Sequence, residues 1–361
     1  MTVETLPGQR WACRGCASCC SSGFELGPVE PEVIADLRKA DIAAAWAPAA
    51  EAPWFERRAG PEGEPLFFLR QRDGRCVFLR DDDLCAVHAL LGGHRKPGFC
   101  REFPYHLVDT PRGTVAVVRP TCGGLHQTWA DGPPVGAAEL QQVAALPRVV
   151  PRRRFQPDQV EVLPGVAVEL STYLTLEDRA LGALRAHPSL GPDAALALVR
   201  DTFVDALGAS PPTPRPEQAR AGASAVLLAL SRVMERVLQQ PGAPADRLAF
   251  ARSVAEQLPR ARARLEGPLP PVSEPVAGYL HRLLQGQLLA KQWQAWGSVH
   301  AGLGQHHLGV VVGRTLAHDD GLAAFDEPYR MWLRFAANAM IQHVLRSARV
   351  ALTDGFLHTM P

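Results

Sequence analysis

Cysteine is absent from residue 123 to residue 361. The 8 cysteines all lie between Cys13 and Cys122, so thiolate chemistry is confined to the first part of the chain. An excess of one charge is also missing: 38 basic and 37 acidic residues give a formal net charge of +1. That balance carries no general nucleic-acid signature, and nucleic acid is not an expected partner. No run approaches about 18 consecutive apolar residues, so no membrane span is expected. Met1 to Arg10 holds neither an apolar stretch nor a cleavage signal. A cytoplasmic setting follows as the expectation, where thiols stay reduced and metal ligation outweighs disulfides.

Several catalytic motifs are missing as well. There is no G-x-G-x-x-G after a strand, no phosphate-binding loop and no H-E-x-x-H. No nucleophile elbow occurs. The C-x-x-x-C-x-x-C spacing of radical S-adenosylmethionine enzymes is not found either. What remains is an ordinary globular composition, 47% hydrophobic and 21% charged. A length of 361 residues suits about two domains.

Cys13, Cys16, Cys19 and Cys20 fall within Cys-Arg-Gly-Cys-Ala-Ser-Cys-Cys. A C-x-x-C step returns the chain to one centre, and Gly15 and Ser18 suit the turns this needs. Cys20, next to Cys19, cannot point the same way in an extended chain. It is expected to serve a second site or to stand beside the first as a reactive thiol. Such dense thiols select zinc, Cu(I) or iron–sulfur. The alternatives are a run of core cysteines or a secreted disulfide knot.

Glu30-Pro31-Glu32 opens a helix through Val33, Leu37 and Ile42. Pro48 to Pro65 reads as an exposed loop. A hairpin is expected to pair Leu66–Leu69 with Cys76–Leu79 about Asp73-Gly74. Asp81-Asp82-Asp83 lacks the calcium-loop spacing and reads as a solvated turn. Cys85 and His88 stand three residues apart and can share a centre, with Cys76 joining them. His88 alone can equally be a structural histidine. Cys100 follows between Pro97 and Pro104, beside Arg101, which can balance thiolate charge, hold a substrate carboxylate or form a surface ion pair. Gly113–Val118 is a β-branched run expected as a central strand, with Cys122 at its exit. Eight thiols suffice for two four-thiolate centres, and the sequence does not partition them.

This ordered series resembles the YkgJ/FliB cysteine-cluster family, over residues 10–125. It comprises Cys13, Cys16, Cys19, Cys20, Cys76, Cys85, His88, Pro97, Cys100, Phe103, Pro104, Pro120 and Cys122. The family is described as zinc- or iron-chelating. The resemblance assigns the cluster role to the eight cysteines. One branch comprises larger flagellin lysine N-methylases associated with an iron–sulfur centre and S-adenosylmethionine. That implies the cofactor and a protein substrate here, without naming a catalytic residue. Glu102 and Asp109 are conceivable proton acceptors.

The expected fold class is a small irregular α+β metal-binding domain followed by a mainly α-helical bundle. The boundaries read are 1–135 for the cysteine-cluster domain, 136–172 for an extended connector and 173–361 for the helical domain. Within the connector, Gly136–Leu146 reads as a short helix. Arg152-Arg153-Arg154 reads as a solvated link, or as a contact for nucleic acid, a cofactor phosphate or an acidic partner, and Val160–Leu170 as a hairpin turning at Pro164-Gly165. Helices are expected from Thr175, through Leu196 to Phe203, over Glu217–Gln240 and over Asp246–Leu265. Further helices are expected from Ser273, over Gly302–Leu316 and over Pro328–Leu345. His306 and His307, adjacent on a helix, are expected to diverge and to be capped or partly exposed. An iron–sulfur centre is favoured over zinc because the tight series resembles cluster-binding runs, although the C-x-x-x-C-P segment is lacking. The functional readings are a metal-binding module with a helical domain for a protein partner, a lysine methyltransferase, and another redox enzyme.

Overall fold

The computed structural model describes residues 3–21, 25–47, 53–72, 74–163, 165–208, 227–228, 231–232, 234–240, 245–264, 271–317 and 321–336. The chain divides into two compact units. One holds Met1–Arg154 with Pro244–Asp246, the other Phe155–Ala243 with Arg247–Pro361. Mixed α+β structure therefore precedes a mainly α-helical region.

The first unit is built around a three-stranded sheet. Gly113–Val118 is its central strand, as expected. It pairs antiparallel with Tyr105–Thr110 and parallel with Val3–Glu4. Val115, Ala116, Val117 and Val118 are all buried, so both faces are covered. Burial on both faces explains a continuous apolar run in place of alternation. Tyr105–Thr110 escapes the sequence reading because Pro104 and two polar residues break its apolar pattern.

The expected long hairpin is corrected. Leu66–Leu69 lies within Pro65–Leu69, whose partner is Phe55–Ala59, with Phe55 opposite Leu69 and Ala59 opposite Pro65. Within the expected loop 48–65, residues 55–59 are thus strand, and 48–52 lie outside the described residues. Phe55–Ala59 hides its strand character because Glu56, Arg57 and Arg58 all face solvent, leaving one aromatic as signal. About residue 73, which lies outside the described residues, only Gln71–Arg72 and Arg75–Cys76 pair. The acidic turn holds Arg80 and Arg75 through Asp82 and Asp83. The helix Pro31–Lys39 has proline in its first turn and Arg38 and Lys39 in its last. It stops before Ile42, which begins a separate turn, Ile42–Ala45.

Of the basic stretch, Arg153 and Arg154 are exposed as expected, while Arg152 is engaged by the first unit. The Arg152 guanidinium reaches Asp109 Oδ1 at 3.1 Å and the Ala144 carbonyl at 2.6 Å, and the Arg153 carbonyl accepts the Asp109 N–H at 3.0 Å. The segment therefore lies along the sheet edge at Asp109.

The second unit opens with the expected hairpin, Gln159–Leu163 against Val166–Glu169. The following helix begins at Leu170, not Thr175. Thr175 is inside it and donates to the Ser171 carbonyl at 3.0 Å, so it marks no helix start. Further helices span Pro192–Ala206, Ala245–Arg264, Glu274–Leu289, Val299–Leu316 and Leu322–Ala336. Most of the helix expected at 217–240 lies outside the described residues, although 234–238 are helical. The last helix starts six residues before Pro328, which sits inside it; positions 337–345 lie outside the described residues. His306 and His307 diverge as expected but are both buried, at 3% exposure each. His306 Nδ1 lies 3.0 Å from the Tyr329 hydroxyl, and His307 Nε2 3.5 Å from Asp193 Oδ1. Polar partners on neighbouring helices make that burial affordable, and no local pattern announces them. Among the described residues no helix is long and apolar enough to cross a membrane.

Candidate metal centre and adjoining cavity

Residues 10–12 are tied down before the cysteine run begins. Arg10 bonds the Gly132 carbonyl at 2.7 Å, and the Trp11 N–H bonds that of Pro133 at 3.1 Å. Gly15 then turns with φ +63°, a left-handed conformation that favours glycine. Ala17 also has positive φ, and Ser18–Ser21 forms one helical turn.

That turn corrects the expectation for Cys20. The chain is helical there, not extended, and the Cys19 and Cys20 sulfurs lie 3.7 Å apart. The two thiols are hydrogen-bonded to each other. The hydrogen bond from Cys20, assisted by Lys96, brings the Cys19 thiol down to about 6. The same bond, with burial, pushes Cys20 far up.

Cys76 ends a short strand, Cys85 precedes the helix Ala86–Leu91, and Cys100 sits in the helix Gly98–Glu102. Cys20 and Cys85 pack against a core containing Cys76, Leu37, Phe78 and Val87. Burial pushes Cys76 up to about 12 and Cys100 well above the ordinary thiol value. Cys19, Cys20, Cys76, Cys85 and Cys100 act electrostatically on one another, and Lys96 stands among them. Burial works against the Lys96 ammonium, yet the thiolates raise its pKa.

The remaining thiols lie differently. Cys122 is buried just after the central strand, and burial pushes it up to about 11. The Cys16 thiol bonds Ser18 Oγ at 3.4 Å. A Cβ on Gly123 would come within 2.4 Å of Ser18 Oγ and 3.2 Å of Cys16 Sγ, so Gly123 permits this approach. Cys13 is exposed, as is His88. Among the described residues, no group of three or more His, Cys, Asp or Glu is already gathered as a metal site.

The donor chemistry nevertheless fits a soft metal. At a Zn–S distance of about 2.3 Å, the edge of a tetrahedral thiolate site is about 3.8 Å. The Cys19–Cys20 separation of 3.7 Å matches such an edge. Lys96 supplies positive charge where several thiolates would otherwise repel.

A cavity of about 560 Å³ adjoins this cluster and takes Cys19, Cys20, Cys100 and Lys96 into its lining. Glu30, Glu102, Arg119 and Arg148 also line it. Glu30 accepts the Gly98 N–H with both oxygens, at 3.0 and 3.1 Å. Glu102 is ion-paired to Arg148 and lies 3.6 Å from Arg119. Asp109 accepts from Thr114 at 2.8 Å and pairs with Arg152. Both suggested proton acceptors are therefore engaged as ion-paired carboxylates. The sequence reading missed Lys96 and Arg148: lysine and arginine carry no motif, and only the folded chain brings them to the cavity. The Arg101 Nε is buried without a hydrogen-bond partner among the described residues.

The comparisons with curated proteins and with solved structures return no match. Residues 12–123, which carry all eight thiols, match the family model CxxCxxCC, described as a "putative zinc- or iron-chelating domain".

Proposed function

We propose that the first unit holds a thiolate metal centre, with ligands drawn from Cys19, Cys20, Cys76, Cys85 and Cys100. The observation carrying this reading is the mutual electrostatic reach of these five thiols about Lys96, with Cys19 and Cys20 already at a tetrahedral edge. Binding would draw the five sulfurs together and release their protons. Cys122 is acted on by both Cys16 and Cys19, so Cys16 and Cys122 adjoin this set as further donors. Zinc, or an iron–sulfur cluster in which one iron takes two cysteines, suits the 3.7 Å separation. Eight free thiols suit a reducing compartment such as the cytoplasm. Anaerobic purification followed by metal and acid-labile sulfide analysis tests the reading. Iron with sulfide selects a cluster, and zinc without sulfide a structural or catalytic zinc. Folded protein free of both overturns the proposal.

The cavity favours a second reading, in which an organic cofactor lies beside the centre. S-adenosylmethionine in protein lysine N-methylation is the form the cysteine series suggests, with the helical unit receiving the protein substrate. The volume of about 560 Å³ falls in the range of small-molecule sites, and the lining offers both carboxylates and cations to a zwitterion. S-adenosylmethionine would supply an activated methyl group there. Calorimetry on the metal-loaded protein should give a dissociation constant below about 1 mM. No heat at that concentration, with the metal fully present, dismisses this reading and leaves the metal centre standing.

A further inference from the structure

The charges lining the cavity are not evenly spent. Glu30 is engaged by a backbone N–H through both oxygens. Glu102, only 9% exposed, faces two guanidinium groups. One carboxylate cannot use the donors of two arginines. Each guanidinium carries five N–H groups, and a carboxylate has two oxygens. Arg119 places its Nε on the Tyr105 carbonyl at 3.0 Å, and Arg148 meets Glu102 Oε2. Glu30 also acts on Arg148, so the charges of these side chains balance, but the N–H donors of Arg119 and Arg148 outnumber the oxygens of Glu102 and leave unspent planar donors on the wall of the cavity. Apolar side chains of Leu66, Phe68, Phe99, Phe103 and Leu146 line the same space.

We propose that this cavity binds an organic acid, whose carboxylate or phosphate is taken by Arg148 and Arg119 and whose apolar body lies against the phenylalanines. Planar guanidinium donors match either oxyanion, and a partly enclosed wall strengthens the pairing. Glu102 holds the two arginines in place and competes with the ligand for them. The inference concerns the cavity alone and holds whichever metal the neighbouring thiols take.

Two fluorescent probes on the full-length, as-purified protein test it: 8-anilinonaphthalene-1-sulfonate, and its uncharged analogue N-phenyl-1-naphthylamine. Arg148→Gln should weaken the anionic probe about fivefold or more, the scale of one charge-assisted contact. Glu102→Gln should tighten it by a similar factor, because the internal competitor is gone. The uncharged probe should change in neither variant. Misfolding exposes apolar surface and raises the binding of both probes together, so Glu102→Gln supports the proposal only when the anionic probe tightens and the uncharged one does not, and that outcome remains decisive if Arg148→Gln folds poorly. Benzoate and phenyl phosphate then compete against the anionic probe, and the stronger competitor identifies the head group. Parallel shifts of both probes, no tightening in Glu102→Gln, or failure of both competitors overturns the proposal. Metal content measured on the same samples separates that failure from loss of the metal centre.

Discussion

Cys100→Ser should strip the thiolate centre of its metal and unfold the first unit. Cys100 is half-buried and stands at the meeting of the cluster and the cavity. Binding by a structural thiolate site contributes roughly 10–16 kcal/mol of apparent free energy, comparable with or larger than the stability of a whole domain. Removing one ligand therefore affects more than a local contact. Metal per chain at that centre should fall about tenfold or more, with loss of the unit's cooperative melting transition. Cys13→Ser is the matched comparison. Cys13 is exposed and outside the group around Lys96, so the centre should survive its loss. Equal loss of metal in the two variants would falsify the grouping of thiols proposed above. Retention of full metal in Cys100→Ser would remove Cys100 from the ligand set.

The second large effect lies in the helical unit. Lys291 and Glu177 form an ion pair at 2.5 Å, with both side chains only 2% exposed. Lys291 has a left-handed backbone (φ +53°) and also donates to the Leu289 carbonyl at 2.9 Å. Glu177 is further bonded by the Tyr173 hydroxyl, and Tyr173 accepts the Trp293 indole N–H at 3.0 Å. Phe155 closes over the group, edge-on to both Tyr173 and Trp293. Taking one charge away leaves the other buried and unpaired. Glu177→Leu or Lys291→Met alone should destabilise this unit by about 3–5 kcal/mol. The double variant should recover much of that, because an apolar pair need not be desolvated at such cost. Urea unfolding of the four proteins gives the comparison directly. Additive losses in the double variant would show that the two charges do not depend on each other.

The cysteine spacing, the central strand and the order of an α+β part before a helical part were legible in the residues. Thiols at C-x-x-C spacing have few other uses in a reducing setting, and a β-branched run buried on both faces carries its own signal. Helix starts marked by proline, as at Pro31 and at Ser273-Glu274-Pro275, were equally readable, because the missing N–H belongs in the first turn. Other features needed the folded chain. Phe55–Ala59 became a strand only because Pro65–Leu69 offered it an edge. Leu170 began a helix because the preceding hairpin ran into it, without a cap to mark the place. Adjacent Cys19 and Cys20 came together because one helical turn replaced an extended chain. The grouping of five thiols about Lys96, the arginines drawn to Glu102 and the burial of Lys291 all join residues far apart in sequence. Local periodicity records which face of an element is apolar. It holds no record of which distant charge will meet it there, and that pairing decides whether a buried polar group is stable and what a cavity can bind.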